Sequence, residues 1–187
     1  MSIENTTTYQ YRHNKKLCGG ISLQKGIKKS QKDKPLITII TIVFNGEKFL
    51  EDAIKSVINQ TYDNIEYIII DGNSKDGTLD IIKKYESKID LWISEPDEGI
   101  YDAMNKGIGL ANGEVIGLLN ADDYYESDSL EKIQKKHITD SADIYYGNMI
   151  VVKQRTKEMI EKRYPNFKKL YFGMYLNHPA TFVKKEV

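Results

Sequence analysis

Between Leu36 and Phe44 the chain reads Leu-Ile-Thr-Ile-Ile-Thr-Ile-Val-Phe, nine residues with no apolar/polar alternation. A strand with one wet face alternates, so this one must be covered on both sides, as strands of a parallel sheet are. The next segment supplies cover. Phe49, Leu50, Ala53, Ile54, Val57 and Ile58 recur with the spacing of one helical stripe,. Ile65 to Ile70 is a second strand, Leu79, Ile82 and Tyr85 mark a helix, and Leu91 to Ile93 is a short strand. Tyr101, Met104, Ile108 and Ala111 mark a third helix, and Val115 to Leu119 another buried strand. Asp128-Ser129-Leu130-Glu131 has the spacing of a capping box and predicts a helix through about His137,. Strands alternating with helices of about ten residues imply right-handed βαβ units. The expected class is α/β, a Rossmann-like, mostly parallel sheet flanked by helices. After Asp143, Ile144 to Tyr146 and Met149 to Val152 read as strands around Gly147-Asn148, a candidate hairpin.

Composition narrows the partners. Lys+Arg and Asp+Glu both total 27, which gives no electrostatic reason to expect nucleic acid. The balance hides a split. Residues 1–35 hold eight cationic side chains and two acidic ones, a net of +6, leaving −6 for the rest. Residues 1–34 show neither helical nor strand periodicity and read as a basic, flexible or loosely docked arm, with 35–187 as one domain. The arm is either a solvated tail or a contact for anionic lipid. Cys18 is the only cysteine; it excludes an internal disulfide and a cysteine zinc site, and fits a reducing cytoplasm. No apolar run approaches the roughly 20 residues of a spanning helix, and no apolar segment follows the N-terminal charges as in a secretory signal. A soluble, cytoplasmic protein is expected, with at most peripheral contact at the inner face of a membrane.

In open α/β sheets ligands bind outside the carboxyl ends of the strands. Those ends read Phe44-Asn45-Gly46-Glu47, Asp71-Gly72-Asn73-Ser74, Ser94-Glu95-Pro96-Asp97-Glu98 and Asn120-Ala121-Asp122-Asp123. Asp122 and Asp123 follow their strand almost directly, and adjacent carboxylates at a sheet edge repel. A divalent cation, Mg²⁺ or Mn²⁺, relieves this and suits a phosphate-bearing ligand; capping the next helix is the other reading. Asp71 stands where α/β nucleotide sites meet a ribose. The loop from Ser94 to Lys106, with Glu95, Asp97, Glu98 and Asp102, is either solvated or functional, and its Gly99, Tyr101 and Asn105 have the shape and hydrogen-bonding types suited to a sugar or base. His178, as an imidazole, is a candidate general base or phosphate ligand, or a structural histidine. Gly107-Ile108-Gly109-Leu110-Ala111-Asn112-Gly113 spells a glycine string, yet it closes a helix and leads into a strand, the reverse of a dinucleotide fingerprint,. Gly113 reads as a helix-ending residue.

Ile39 to Asn45, Ser56 to Tyr62, Asp71 to Thr78, Glu95 to Gly107 and Asn120 to Asp123, in that order, resemble the family 2 glycosyltransferases. The resemblance runs from about Leu36 to Val183. It implies a glycosyltransferase A-type fold, a divalent cation, and inverting transfer of a hexosyl group from a nucleoside diphosphate donor to a glycan or lipid-linked acceptor, in cell-envelope polysaccharide synthesis. It also implies a donor-binding half (35–125) and a partial acceptor half (126–187), the chain stopping where the family continues with further helices. Phe44 and Asn45 would flank the base, with Glu47, Asn73, Tyr101, Asp102 and Asn105 around the nucleotide sugar. Asp71 would hold base or ribose, Asp123 the metal, and Asp122 ribose or metal; Asn120 stands where many relatives carry Asp. Asn177 to Phe182 resembles a His-x-Ala-x-Phe segment, without a clear aspartate to act as base. Two alternatives remain, a non-catalytic nucleotide-sugar-binding module and a nucleotidyltransferase, although the latter's basic Gly-rich loop is missing after Phe44.

Overall fold

The computed structural model describes residues 17–140, 142–153, 156–166, 168 and 177–186. In chain order the elements are β1 (Leu17–Gly19), α1 (Ser22–Lys25), β2 (Ile37–Val43), α2 (Leu50–Ile58), β3 (Ile65–Asp71), α3 (Thr78–Lys84), β4 (Leu91–Ser94), α4 (Ile100–Leu110), β5 (Val115–Asn120), α5 (Ser129–Thr139), β6 (Ile144–Tyr146), β7 (Met149–Val152), β8 (Met159–Arg163) and β9 (Thr181–Lys184). Single 3₁₀ turns lie at Glu86–Lys88 and His178–Ala180.

The main sheet runs β1-β4-β3-β2-β5-β9-β6. Its centre, β4, β3, β2 and β5, is parallel, while β1 and β9 join antiparallel at either side. Every residue of β2 and β3 is buried, as the unalternating runs require. Ile37, Ile39 and Val43 face a core shared with α2, α3 and α5, and Ile40 and Ile42 face a second core under α4. The chain steps outward from β2 through β3 to β4, then crosses back under α4 to lay β5 on the other flank of β2. The strand order therefore reverses between β2 and β5, opening a crevice at their carboxyl ends.

Four expectations change. Residues 17–34 are not a loose arm: β1 pairs with β4, and Lys28 reaches under the sheet to Asp90 Oδ2 (3.0 Å) and the Ile65 carbonyl (2.6 Å). Residues 1–16 lie outside the described residues. The candidate hairpin is not one, because β6 pairs with β9 and β7 with β8; short strands take whichever edge the tertiary fold presents. The capping box is not formed. Asp128 and Glu131 instead bond Lys132 and Lys135, and the Gln60 amide oxygen accepts from the Leu130 N–H (2.9 Å). Gly113 packs rather than caps, since a Cβ there would lie 2.6 Å from the Thr38 nitrogen and Oγ1. Buried Glu66 holds that turn by accepting from Thr38 Oγ1 and from the Asn112 N–H and Nδ2. Gly107 likewise faces Ile40 Cγ2, at 2.4 Å from where its Cβ would stand. The glycine string therefore packs helix and connecting turn onto the sheet.

Asp90 is almost fully buried, and burial pushes its carboxyl up while Lys28 and the Tyr67 N–H pull it down. A carboxyl raised in the fold weakens stability above its unfolded pKa, and acid removes that cost. Lys28→Met deepens the cost. It should lose about 1–2 kcal/mol near pH 7, allowing for the partial exposure of Lys28, and much less below pH 4. Urea unfolding at the two pH values checks this; a loss that ignores pH would contradict it.

Candidate active site

The first two loops of the carboxyl edge are clasped together. Asn45 N–H donates to Ser74 Oγ (2.8 Å), Gly46 N–H to Thr78 Oγ1 (2.8 Å) and Glu47 N–H to Asp76 Oδ2 (3.1 Å). In return, Lys75 N–H donates to Asn45 Oδ1 (2.9 Å) and Gly77 N–H to Glu47 Oε2 (2.9 Å). Asn45 and Asn73 sit at positive φ, 52° and 63°, a conformation asparagine tolerates better than most residues. Asp71 is fully buried and accepts from the Ser74 N–H and Oγ and from Ser94 Oγ. Asn45, Glu47 and Asp71, expected at the nucleotide, thus spend side-chain oxygens on shaping the loops. Asn73 Oδ1 accepts from Lys75 Nζ (2.8 Å).

Phe44 is left out of the clasp, 67% exposed at the end of β2. Beside it, Gly72 has no side chain for a reason: a Cβ would stand 2.6 Å from Asp97 Oδ2 and 3.4 Å from Phe44 Cδ2. An aromatic face and a carboxylate therefore converge over one glycine, an arrangement that suits a flat, hydrogen-bonding ring. Asp97 was not among the expected site residues. Its signal was Gly72, since a glycine directly after a buried strand marks close approach by another segment. Asp97 Oδ1 also accepts from the Gly99 N–H (2.9 Å), ordering the turn into α4.

That turn is braced by Lys106, a residue that sequence reasoning missed. Its Nζ pairs with Glu95 (3.2 Å) and Asp102 (3.0 Å) and donates to the Pro96 carbonyl (3.2 Å). The Lys106 hydrogen bond, with the Glu98 N–H, holds the Asp102 carboxyl below its usual range. Asp102 is committed to this brace, whereas Tyr101, 77% exposed, and Asn105 share an open face of α4,.

On the other flank of the crevice, Asp122 is exposed and Asp123 half-buried. Burial first, and the Asp122 charge second, push the Asp123 carboxyl up; the Asn120 amide, donating to Asp123 Oδ2 (3.1 Å), and the charge of His178 oppose this. His178 reaches the site through β9. Phe182 on β9 stands opposite Gly117 on β5, and the 3₁₀ turn His178–Ala180 that precedes β9 packs against β5 as well.

The pair fits a divalent cation in one specific way. Among the described residues no three His, Cys, Asp or Glu side chains cluster as a complete metal cage. Two repelling carboxylates are present, and Asn120 Oδ1 is a buried oxygen with no hydrogen-bond partner. A hard cation that takes one or two protein carboxylates, and the rest of its shell from phosphate and water, matches this set.

A family model described as Glycosyl transferase family 2 matches residues 38–183. The chain is 31% identical over 163 residues to a cholesterol galactosyltransferase of Borreliella burgdorferi, covering 80% of this chain and 44% of that protein. It is 37% identical over 102 residues to a putative teichuronic acid biosynthesis glycosyltransferase of Bacillus subtilis, covering 53% and 40%. Thus it spans less than half the length of these relatives. Among solved structures, the TarS 1-349 fragment of S. aureus in complex with UDP-GlcNAc superposes with a TM-score of 0.63 at 19% identity, covering 80% of this chain and 45% of that one. A mannosyltransferase of Pyrobaculum calidifontis in complex with GDP-Man and Mn²⁺ gives 0.58 at 17% identity, covering 88% and 49%. Both share the fold.

Proposed function

The chain belongs to glycosyl transferase family 2, and from that premise we propose that it binds a nucleoside diphosphate sugar at the crevice between β2 and β5. There it transfers the sugar, with inversion, to a hydroxyl of a glycan or lipid-linked acceptor used in cell-envelope polysaccharide. The observation that carries this reading is the division of the crevice into two chemistries. Phe44, Gly72 and Asp97 offer an aromatic face with a hydrogen-bonding edge, and Asp122 and Asp123 offer paired carboxylates. A nucleotide spans the two, its base on Phe44 and its diphosphate toward Asp122 and Asp123. The solved neighbours that hold UDP-GlcNAc and GDP-Man support a donor of this class.

Asp123, with Asp122, would hold a divalent cation, which when bound supplies positive charge against the departing diphosphate. The remaining work belongs to the chain. The clasp between residues 45–47 and 74–78 holds the base end rigid, so binding costs little ordering of the loops. Lys106 fixes the entry to α4, leaving Tyr101 and Asn105 open toward sugar hydroxyls. His178, in the turn packed against β5, takes the proton of the attacking acceptor hydroxyl,.

Calorimetric titration of UDP and GDP, with and without Mn²⁺, tests the donor site. One nucleotide should bind in a metal-dependent way. Because the Phe44 ring is exposed, Phe44→Ala should leave the unfolding midpoint unchanged yet weaken that nucleotide roughly tenfold or more, the size of one lost base stack. Equal affinity in Phe44→Ala, or no nucleotide binding by the wild type, would remove the reading.

A further inference from the structure

Nothing in the residue types near β9 says why an exposed histidine should keep its place in a turn packed against β5. Asn177, the residue before it, is the junction of three segments. Its side-chain Nδ2 donates to the Gly147 carbonyl, between β6 and β7 (3.1 Å), and to the Arg163 carbonyl, at the end of β8 (3.2 Å). Both amide hydrogens are thereby used on two different connections. Its backbone carbonyl accepts from the Ala180 N–H (2.8 Å) and from Thr181 Oγ1 (2.9 Å), closing the 3₁₀ turn that contains His178. Gly147 returns a bond, its N–H donating to the Ala180 carbonyl (2.8 Å).

Pro179 follows His178 and has no N–H to offer,. The place of the imidazole is consequently set from the Asn177 side and from the β9 strand beyond. A side chain with one donor group, two hydrogens and an acceptor suits this junction. Aspartate, of the same shape, would oppose two carbonyl oxygens and donate to neither.

We propose that Asn177 is the positioning residue that holds the His178 turn against β5, so that the imidazole stays on the Asp122–Asp123 flank of the site. It touches neither donor nor acceptor. It acts by tying the 178–180 turn to the β6–β7 connection and to the end of β8 at once. The use of His178 as proton acceptor rests on the transfer reading above; its placement by Asn177 does not, and the first test needs no metal, nucleotide or acceptor.

The chain has three histidines, at positions 13, 137 and 178, so their imidazoles can be followed one by one by NMR. His137, bonded to Tyr145 and Glu114, serves as the internal reference for an intact fold. In the otherwise unaltered chain, Asp123→Asn should shift the His178 ring signals and leave those of His137 in place. In an Asn177→Ala or Asn177→Asp background the same Asp123→Asn change should no longer move His178. A His178 response of equal size with and without Asn177 would overturn the proposal, and so would an unshifted His178 in the first comparison. In turnover assays with the nucleoside diphosphate sugars of whichever base calorimetry identifies, Asn177→Ala should lower kcat roughly tenfold to hundredfold, within the span of a misplaced general base. The donor KM should stay within about twofold. Loss of transfer with intact Asn177-dependent His178 placement would count against the transfer reading alone.

Discussion

Asp123→Asn should make the metal-free chain more stable while removing its metal-dependent nucleotide binding. The two effects have one origin. Asp123 is half-buried, and its ionised form is opposed by burial and by the neighbouring Asp122 charge. Asparagine has the same shape, can still accept from the Asn120 amide through its oxygen, and carries no charge to desolvate or repel. A gain of about 1 kcal/mol is expected, the usual size when a functional compromise is removed; in a chain of this length that is about 3 °C in Tm. Mn²⁺ with the bound nucleotide at a hundred times Kd should stabilise the wild type by about 2.7 kcal/mol and the variant by almost nothing. Transfer should fall by about 100-fold or more, as when a preorganised electrostatic group is deleted. Thermal melts with and without Mn²⁺ and nucleotide decide it. A variant less stable than wild type without metal, or one that keeps the metal-dependent shift, would mean that Asp123 is a structural capping residue.

Phe182→Ala should be the most destabilising single change on the acceptor side. Phe182 is nearly fully buried in β9; its ring lies over Gly117, with Cδ1 2.7 Å from where a Cβ would stand, and 5.6 Å from the Tyr125 ring. Removing it empties the seam between β5 and β9, and a buried Phe→Ala change costs about 3–5 kcal/mol. Against a typical total of about 5–15 kcal/mol, a fall in Tm of about 10 °C follows. β6 is held in the main sheet by β9, so it should loosen with it, and His178 should lose its place. Phe182→Leu refills most of the volume and should recover more than half of the loss. Hydrogen exchange should show the β9 and β6 amides opening first, ahead of β2 and β3. A loss under 1 kcal/mol, or uniform exchange across the sheet, would show that β9 is not a working part of the core.

The central strands and their helices were legible because burial on both faces leaves a continuous β-branched run, and a helix over one face leaves a 3.6-residue stripe. Those signals are local and survive any tertiary detail. The edge elements were legible only in part. Ile144 to Tyr146 and Met149 to Val152 read as strands and are β6 and β7, but their partners were not readable, and β1, with three residues, showed no pattern at all, because the edges that these strands pair with exist only after the centre has formed. The same distinction runs through the site. Position after a strand picked out Phe44 and the Asp122–Asp123 pair as groups at the carboxyl edge. It could not separate a side chain open to the crevice from one spent inside the loop, because that depends on hydrogen bonds between segments about 30 residues apart, as in Asn45 with Lys75 or Glu47 with Gly77.

By itself, then, the sequence determined the α/β class, the parallel centre and the edge on which the acids gather, because hydrophobic patterning and strand direction are properties of consecutive residues. Only the tertiary structure decided that residues 17–34 dock, that Asp97 meets Phe44 across Gly72, that Asp71 turns inward, and that Asn177 ties the 178–180 turn to Gly147 and Arg163. Each of these is a contact between residues far apart in the chain, and its energy depends on geometry that no window of sequence contains.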